Sequence, residues 1–338
     1  ALPLFNSRAD NVQLQQAWLY AEKAIDTSCG FDIGGRVDYM YGTDSQDTQA
    51  FGTDPRGWDN SWDNGPDYGR AMPQLYVEAG YGDLSVKAGH FFTIIGWEVV
   101  TAPDNFFYSH AYTMYNSEPF THTGVLASYN VNDTITAYGG YTMGWDSGFD
   151  DNGDNFLGGL SAGLTDDFTL TYATTIGRFG SLPLGTPEQG YMQSLVGDLA
   201  VTDNLQYIIQ SDFLDSDNGV STVRETFGIN QYLIYSLNDC VSVGTRFEWW
   251  QVQKDSQGYY GDNSVIPANA AVGGNFDVYA LTFGLNYKPH ANVVIRPEIR
   301  GDWVQGLSEQ DYADADISLL EDNRDSQCTF GIDTIFLF

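Results

Sequence analysis

Apolar and polar residues alternate one for one along most of this chain. Phe31, Ile33, Val37, Tyr39 and Tyr41 interleave with Asp32, Gly34, Arg36, Asp38 and Met40. Leu75, Val77, Ala79 and Tyr81 interleave with Gln74, Tyr76, Glu78 and Gly80, and Val241, Val243, Phe247 and Trp249 with Ser242, Gly244, Arg246 and Glu248. The sharpest case is VIRPEIRGDW (294–303). There Arg296, Glu298, Arg300 and Asp302 share one parity, and Ile295, Pro297, Ile299, Gly301 and Trp303 share the other. Side chains alternate across a strand, so each such stretch has two unlike faces. Period two over about ten residues marks a strand lying between two different media. No apolar period of 3.6 is sustained, so no major helix is predicted.

The pattern gives about fifteen strands: 12–24, 30–42, 73–82, 84–92, 119–130, 134–145, 155–164, 168–180, 190–201, 205–214, 222–237, 241–253, 276–287, 292–303 and 326–338. Their connections alternate in length. Short turns rich in Asn and Asp recur, as in VNDTI (131–135), LTDDF (164–168), VTDNL (201–205) and LNDCV (237–241). Between them lie long loops at about 43–72, 93–118, 146–154, 181–190, 215–220, 254–274 and 304–325. Short turns at one end and long loops at the other describe a transmembrane antiparallel β-barrel, with the turns periplasmic and the loops extracellular. A sandwich or propeller does not sort its connections this way. Bacterial barrels use even strand numbers, so a first strand is expected upstream of residue 1, for roughly sixteen strands and an aqueous channel. Residues 1–338 then read as one barrel domain. The alternating strand 326–338 ends on Phe338, in the manner of a signal read by the barrel assembly machinery.

Composition narrows the partners. The net charge of −31 leaves nothing to neutralise phosphates and argues against nucleic acid. It favours cations. Aromatic residues make up 15% of the chain, which suits strands and interfacial girdles. Cys29, Cys240 and Cys328 lack metal-site spacing; free thiols are the simpler reading, one disulfide the other. No run approaches the ~18 apolar residues of a spanning helix, which says nothing against a barrel. No signal peptide opens the chain, so its numbering is expected to start at or after a processing site.

Several stretches resemble the OmpL-like family of outer-membrane β-barrel porins: LQQAWLYAEK (14–23), FDIGGRVDYMYGTD (31–44), AGHFFTIIGWE (88–98), PFTHTGVLASY (119–129), GYTMGW (140–145) and RPEIRGD (296–302). The resemblance is tightest over about 8–180 and 275–338. It departs in the very acidic loops and in the cysteines. These motifs are structural, so they imply fold and location more firmly than solute. The resemblance also implies a first strand upstream of 5–8.

The candidate pore-lining residues are Asp32, Arg36, Asp38, Glu78, Lys87, Glu98, Arg246, Glu248, Arg296, Glu298, Arg300 and Asp302, with Asp212 and Asp277 as further acids of the same face. Opposed basic and acidic patches would select solutes by charge; salt bridges bracing the wall are the equal alternative. The loop 93–118 carries Ile94, Ile95, Trp97, Phe106, Phe107, Tyr108, Tyr112 and Tyr115, too many apolar groups for a solvated loop. It is expected to fold into the lumen with Glu98, Asp104 and Glu118 near a constriction, or else to pack over the rim or a neighbouring subunit. Asp146, Asp150, Asp151 and Asp154 offer clustered oxygens of the kind that bind Ca²⁺, though without EF-hand spacing, and a solvated acidic loop is the plainer reading. No cofactor is required. GLSAG (159–163) fits GxSxG but lies in an alternating strand, where no nucleophile elbow forms. The expectation is a diffusion porin for small hydrophilic solutes, cation-preferring and homotrimeric, set in outer-membrane lipid. Two rivals are a structural or adhesive barrel with a plugged lumen, and a membrane-embedded hydrolase using Ser161 or His110.

Overall fold

The alternating stretches form the strands they predict. The computed structural model describes residues 11–50, 58–59, 61–149, 153–181, 187–255, 275–306 and 326–338. The strands are β1 (Ala17–Lys23), β2 (Asp32–Gly42), β3 (Gly69–Ala71), β4 (Leu75–Tyr81), β5 (Leu84–Phe92), β6 (Thr121–Asn132), β7 (Ile135–Thr142) and β8 (Asp154–Thr165). They continue as β9 (Phe168–Ser181), β10 (Pro187–Thr202), β11 (Leu205–Asp217), β12 (Thr222–Asn238), β13 (Val241–Asp255), β14 (Phe276–His290), β15 (Val293–Gln305) and β16 (Ser326–Phe336). All join one antiparallel sheet of sixteen strands in which sequence neighbours are sheet neighbours, except that β3 is a flap on the end of β2. The flap went unpredicted because three residues carry no periodicity. Two short helices, α1 (Ser45–Thr48) and α2 (Tyr112–Ser117), lie in the loops. Of the predicted loops 254–274 and 304–325, residues 256–274 and 307–325 lie outside the described residues, as does the strand expected before residue 1.

The short turns share one device. The register shifts by a residue at Asn130/Asn132, Gly163/Thr165, Ala200/Thr202 and Ser236/Asn238. At each shift a short polar side chain closes the turn. Asn132 Oδ1 accepts from the Thr134 and Ile135 amides, Thr202 Oγ1 from Asn204 and Leu205, and Asn238 Oδ1 from Cys240. Asx and Ser/Thr turns of this kind need Asn, Asp or Thr at fixed offsets, which is why the sequence repeats there.

The sheet is curled so that its two ends approach each other, with no ladder between β1 and β16 among the described residues. Gln16, just before β1, accepts from the Ala102 amide at 3.1 Å, while Arg296 of β15 donates to the Ala102 carbonyl at 2.8 Å. Tyr108 likewise receives Gln15 Nε2 on its hydroxyl and gives its amide to Glu298 of β15. Strands at opposite ends of the sheet therefore lie within reach of single residues, the shape of a barrel.

The two faces differ as their sequences require. On β13, Arg246, Glu248, Trp250 and Val252 are buried while their neighbours are not. On the other face Ile33, Val77, Phe156, Phe283 and Ile332 are exposed, Val77 by 63%. Aromatic residues border that bare apolar face at two levels. Trp249, Tyr279 and Trp303 stand side by side in register near the long-loop end, with Tyr279 stacked on Trp303 at 5.7 Å. Tyr235 and Tyr287 lie near the short-turn end. Tyr279 and Tyr287 are eight positions apart, about 26 Å of strand, or about 20 Å along the barrel axis at a tilt of ~40°.

Pro297 costs one stretch of ladder. β14 and β15 pair at Gly284–Glu298 and again in the same register at Tyr287–Ile295, with neither a pair nor a bulge between. On the other side Pro297 pairs in register with Ile332. Proline has no N–H to give, so the strand keeps its register and loses bonds on one side.

Candidate functional site

Loop 93–118, between β5 and β6, lies across the buried face of β11 to β16. It is seated by shape and by charge. Gly244, Gly284 and Gly331 form a row with Glu298: Gly244 opposes Gly284, Gly284 opposes Glu298, and Glu298 opposes Gly331. The missing side chains leave room for loop aromatics. A Cβ on Gly244 would come within 2.6 Å of the Phe106 ring, one on Gly284 within 2.9 Å of Phe107, and one on Gly331 within 2.6 Å of Tyr108. A fourth glycine, Gly228, lies against Thr113 of α2. Glycine also weakens a strand, so its use here reflects close approach of another segment.

Charged wall residues then hold the loop backbone. Glu298 accepts the Tyr108 and Ser109 amides at 2.9 and 3.1 Å. Glu248 accepts the Tyr112 amide at 2.8 Å, and Asp302 the Tyr112 hydroxyl at 2.9 Å. Arg300 donates to the His110 carbonyl at 3.0 Å, and Arg296 to the carbonyls of Ala102, Asn105 and Phe107. Arg246 is wholly buried. It donates to Glu248 and to Glu98, each at 2.7 Å, and to the Ser109 carbonyl at 2.6 Å, with Phe107 stacked 5.0 Å away. Burying charge is costly unless it is paired and bonded, and each of these groups has partners. Burial alone would push the Glu98 carboxyl up. Arg246, His110 and the Ala111 amide outweigh it and hold the group at about 2.

The predicted wall residues thus separate into two groups. Glu98 on the loop and Arg246, Glu248, Arg296, Glu298, Arg300 and Asp302 on the wall come together, yet where the loop meets the wall and out of water. Parity placed them on one face correctly and could not show what covers that face. The second group lies on β2, β4 and β5. Arg36 bonds Asp38 and Glu22, and Asp38 also accepts from Trp18 and Gln74. Glu78 and Lys87 oppose each other and are partly exposed, with Lys87 over the Tyr76 ring at 4.3 Å. Asp32 pairs with Lys23 near the short-turn end. Asp277 falls on the bare face, bonded to the Trp249 indole, because the neighbouring Phe276 takes the buried side against Trp250. This corrects its expected position.

Sequence reading missed three features. Asp333 is the partner of Arg296, at 2.6 Å. Arg224 and Glu188 form a second buried pair, at 2.8 Å. An apolar cluster of Tyr76, Phe91, Ile95, Leu126, Leu157, Met192 and Leu214 occupies the same covered face toward the long-loop end. Its signal was the apolar residues on a parity otherwise polar. Beyond the cluster, a cavity of about 380 Å³ opens at the short-turn end, lined in part by Asp167, Asp198, Asp203, Gln206 and Ile234.

The acidic loop is already engaged. Asp146 Oδ1 accepts the Phe120 and Thr121 amides at 2.5 and 2.8 Å, and Asp154 pairs with Arg178 and the Tyr141 hydroxyl. Asp150 and Asp151 lie outside the described residues, among which no three ligating side chains gather to hold a metal ion. Ser161 bonds Thr171 within the sheet, far from the strand-to-helix turn a nucleophile needs. The three cysteines are exposed and free. Phe338 is fully exposed past the end of β16.

A curled antiparallel sheet of sixteen strands, apolar on one face and lined with charge on the other, is a β-barrel of the porin type. The chain belongs to the family described as "Putative beta-barrel porin-2, OmpL-like", whose model matches residues 1–338. Solved structures share the fold at low identity. OmpF of Salmonella typhi is similar with a TM-score of 0.59 and 11% identity, over 95% of this chain and 89% of that one. OmpT of Vibrio cholerae, in a trimer form, gives 0.58 and 13%, over 95% and 90%. An anion-selective porin from Comamonas acidovorans gives 0.57 and 9%, over 95% and 87%. Among curated proteins no relative matches the chain.

Proposed function

We propose that this protein is a passive-diffusion channel of an outer membrane for small hydrophilic solutes, with its covered face as the lumen and loop 93–118 as the constriction. The observation that carries this reading is the clamping of that loop by Arg246, Glu248, Glu298 and Arg300, groups on β13 and β15 remote in sequence from the loop. The bare face, bounded by its two aromatic levels, suits lipid. The channel prefers cations. Arg36, Arg224, Arg246, Arg296 and Arg300 each carry a carboxylate partner, so none stands as a lone cation against the acidic excess that gives the net charge of −31. The assembly is a homotrimer, with the glycine-containing, apolar strand β8 as the candidate contact.

Purified protein in planar bilayers tests this: discrete current steps with a cation-selective reversal potential in a KCl gradient are expected. The apolar cluster around Phe91 and Leu126 favours one rival, a structural barrel with a closed lumen. A silent bilayer with correctly folded protein would establish that rival and end the channel reading.

A further inference from the structure

Ion pairs hold the outgoing half of loop 93–118. Its returning end, where α2 meets β6, is held by different chemistry. Glu118 is 3% exposed, and its carboxyl lies beside that of Asp212 on β11, itself 1% exposed. Gln210 lies between them, its Nε2 2.6 Å from Glu118 Oε1 and 2.6 Å from Asp212 Oδ2. The Gln210 Oε1 accepts the Trp97 amide at 2.9 Å, which fixes the amide's orientation and ties both ends of the loop to one side chain. Gly96 has a φ of +86° and no side chain, and the Glu118 carboxylate packs directly against it.

Two carboxyl groups in contact in a dry site do not both ionise; they share a proton. The surroundings leave no substitute for it. The pair faces Gln210 of β11, Ser194 of β10, Thr113 and Glu98 of the loop, and Tyr232 of β12, while Arg246 of β13 is engaged by Glu98 and Glu248. Among the described residues no basic side chain bonds either member of the pair. A metal ion in the proton's place would meet the N–H groups that Gln210 turns toward both carboxyls.

We propose that the Glu118–Asp212 pair is a proton-operated latch that docks the returning end of loop 93–118 and releases it when the shared proton is lost. Burial first, and the Asp212 charge second, hold the Glu118 proton well above the ordinary glutamate range. The docked state therefore binds the extra proton, and docking weakens as pH rises. In the channel this makes the constriction looser on the alkaline side. That electrical consequence rests on the channel reading; the latch itself does not.

The test is hydrogen–deuterium exchange of the loop amides in the full chain in detergent, from about pH 6 to about pH 10, corrected for intrinsic exchange. It is run alongside bilayer recordings over the same range. In the wild type, opening of 113–118 should grow by about tenfold per pH unit over the range where the docked pair keeps the proton that the released carboxyls have lost, the slope of a one-proton link. Glu118→Gln should flatten that slope, Asp212→Asn should do the same if the first variant folds poorly, and Asp133→Asn at an exposed turn should keep it. Loop protection independent of pH in the wild type overturns the latch, as does a slope that survives both substitutions. Current at every pH with constant loop protection removes the latch and leaves the channel. Absence of current with the predicted protection slope removes the channel and leaves the latch.

Discussion

Arg246→Met is the sharpest perturbation of the clamp. Methionine keeps much of the stem volume and removes the guanidinium. Glu98 then stays buried without its cation, and the Ser109 carbonyl loses a donor at 2.6 Å. Glu248 keeps Arg300, whose Nη1 lies 2.9 Å from its Oε1, so the uncompensated charge falls on the loop side of the pair. Breaking one partner out of a buried ion pair costs about 3–5 kcal/mol. The barrel ladders do not involve this side chain, so the cost weakens loop docking rather than strand pairing. It corresponds to an increase in local opening of about two to three and a half powers of ten. The segment keeps its other holds at Glu298 and Arg296, so the loop stays attached while 97–112 frays. Hydrogen–deuterium exchange at fixed pH should show that loss of protection over 97–112 with the strand amides unchanged, and bilayer current should become noisier. Glu98→Gln keeps a hydrogen bond and should lose about 1.5–3 kcal/mol, the worth of a charge-assisted bond, with strong non-additivity in the double mutant. Protection over 97–112 within about threefold of wild type in Arg246→Met would refute the reasoning, because a clamp worth several kcal/mol cannot vanish unnoticed.

Other expectations follow from the same contacts. Gly284→Val forces methyl groups into the Phe107 ring and should cost the docked loop about 1–3 kcal/mol of overpacking, read as faster proteolysis within 93–118. Burial pushes the Asp146 carboxyl up to about 7 against the pull of the Thr121 and Phe120 amides. The folded chain then holds a proton that the unfolded chain releases near 3.8, so stability falls as pH rises from about 3.8 through about 7. Asp146→Asn should remove that slope, seen as a melting midpoint in detergent that gains on wild type between pH 5 and pH 8, by roughly a few kcal/mol at most. Glu98 has the opposite sign. Its contribution is present above about 4.5 and lost as pH falls through about 2, so acid should loosen the outgoing half of the loop more in wild type than in Glu98→Gln.

Strand positions and sheet order were legible because a wall between two media writes period two into every strand and because short turns need Asn, Asp or Thr at fixed offsets. VIRPEIRGDW shows both the reach and the limit of that signal. Its parity put Arg296, Glu298, Arg300 and Asp302 on one face, as found. That the face is dry depends on a loop some 190 residues away in sequence, and periodicity has no term for such a contact. The glycines under the loop stood on the charged parity, where a strand gains nothing from them, and were a readable sign of close approach. The Glu118–Asp212 contact was not readable, since it joins the end of one loop to a single position on β11. Asp277 was misplaced because it stands at the start of β14, where the alternation has only just begun.

In the proposed channel, loop 93–118 narrows an otherwise open barrel. Single-channel conductance in planar bilayers, measured for the full chain and for a variant with 97–116 replaced by a short glycine–serine linker, tests it most directly. Discrete openings are expected for the full chain and severalfold larger ones for the variant. Equal conductance in the two, or no current from either, would contradict it.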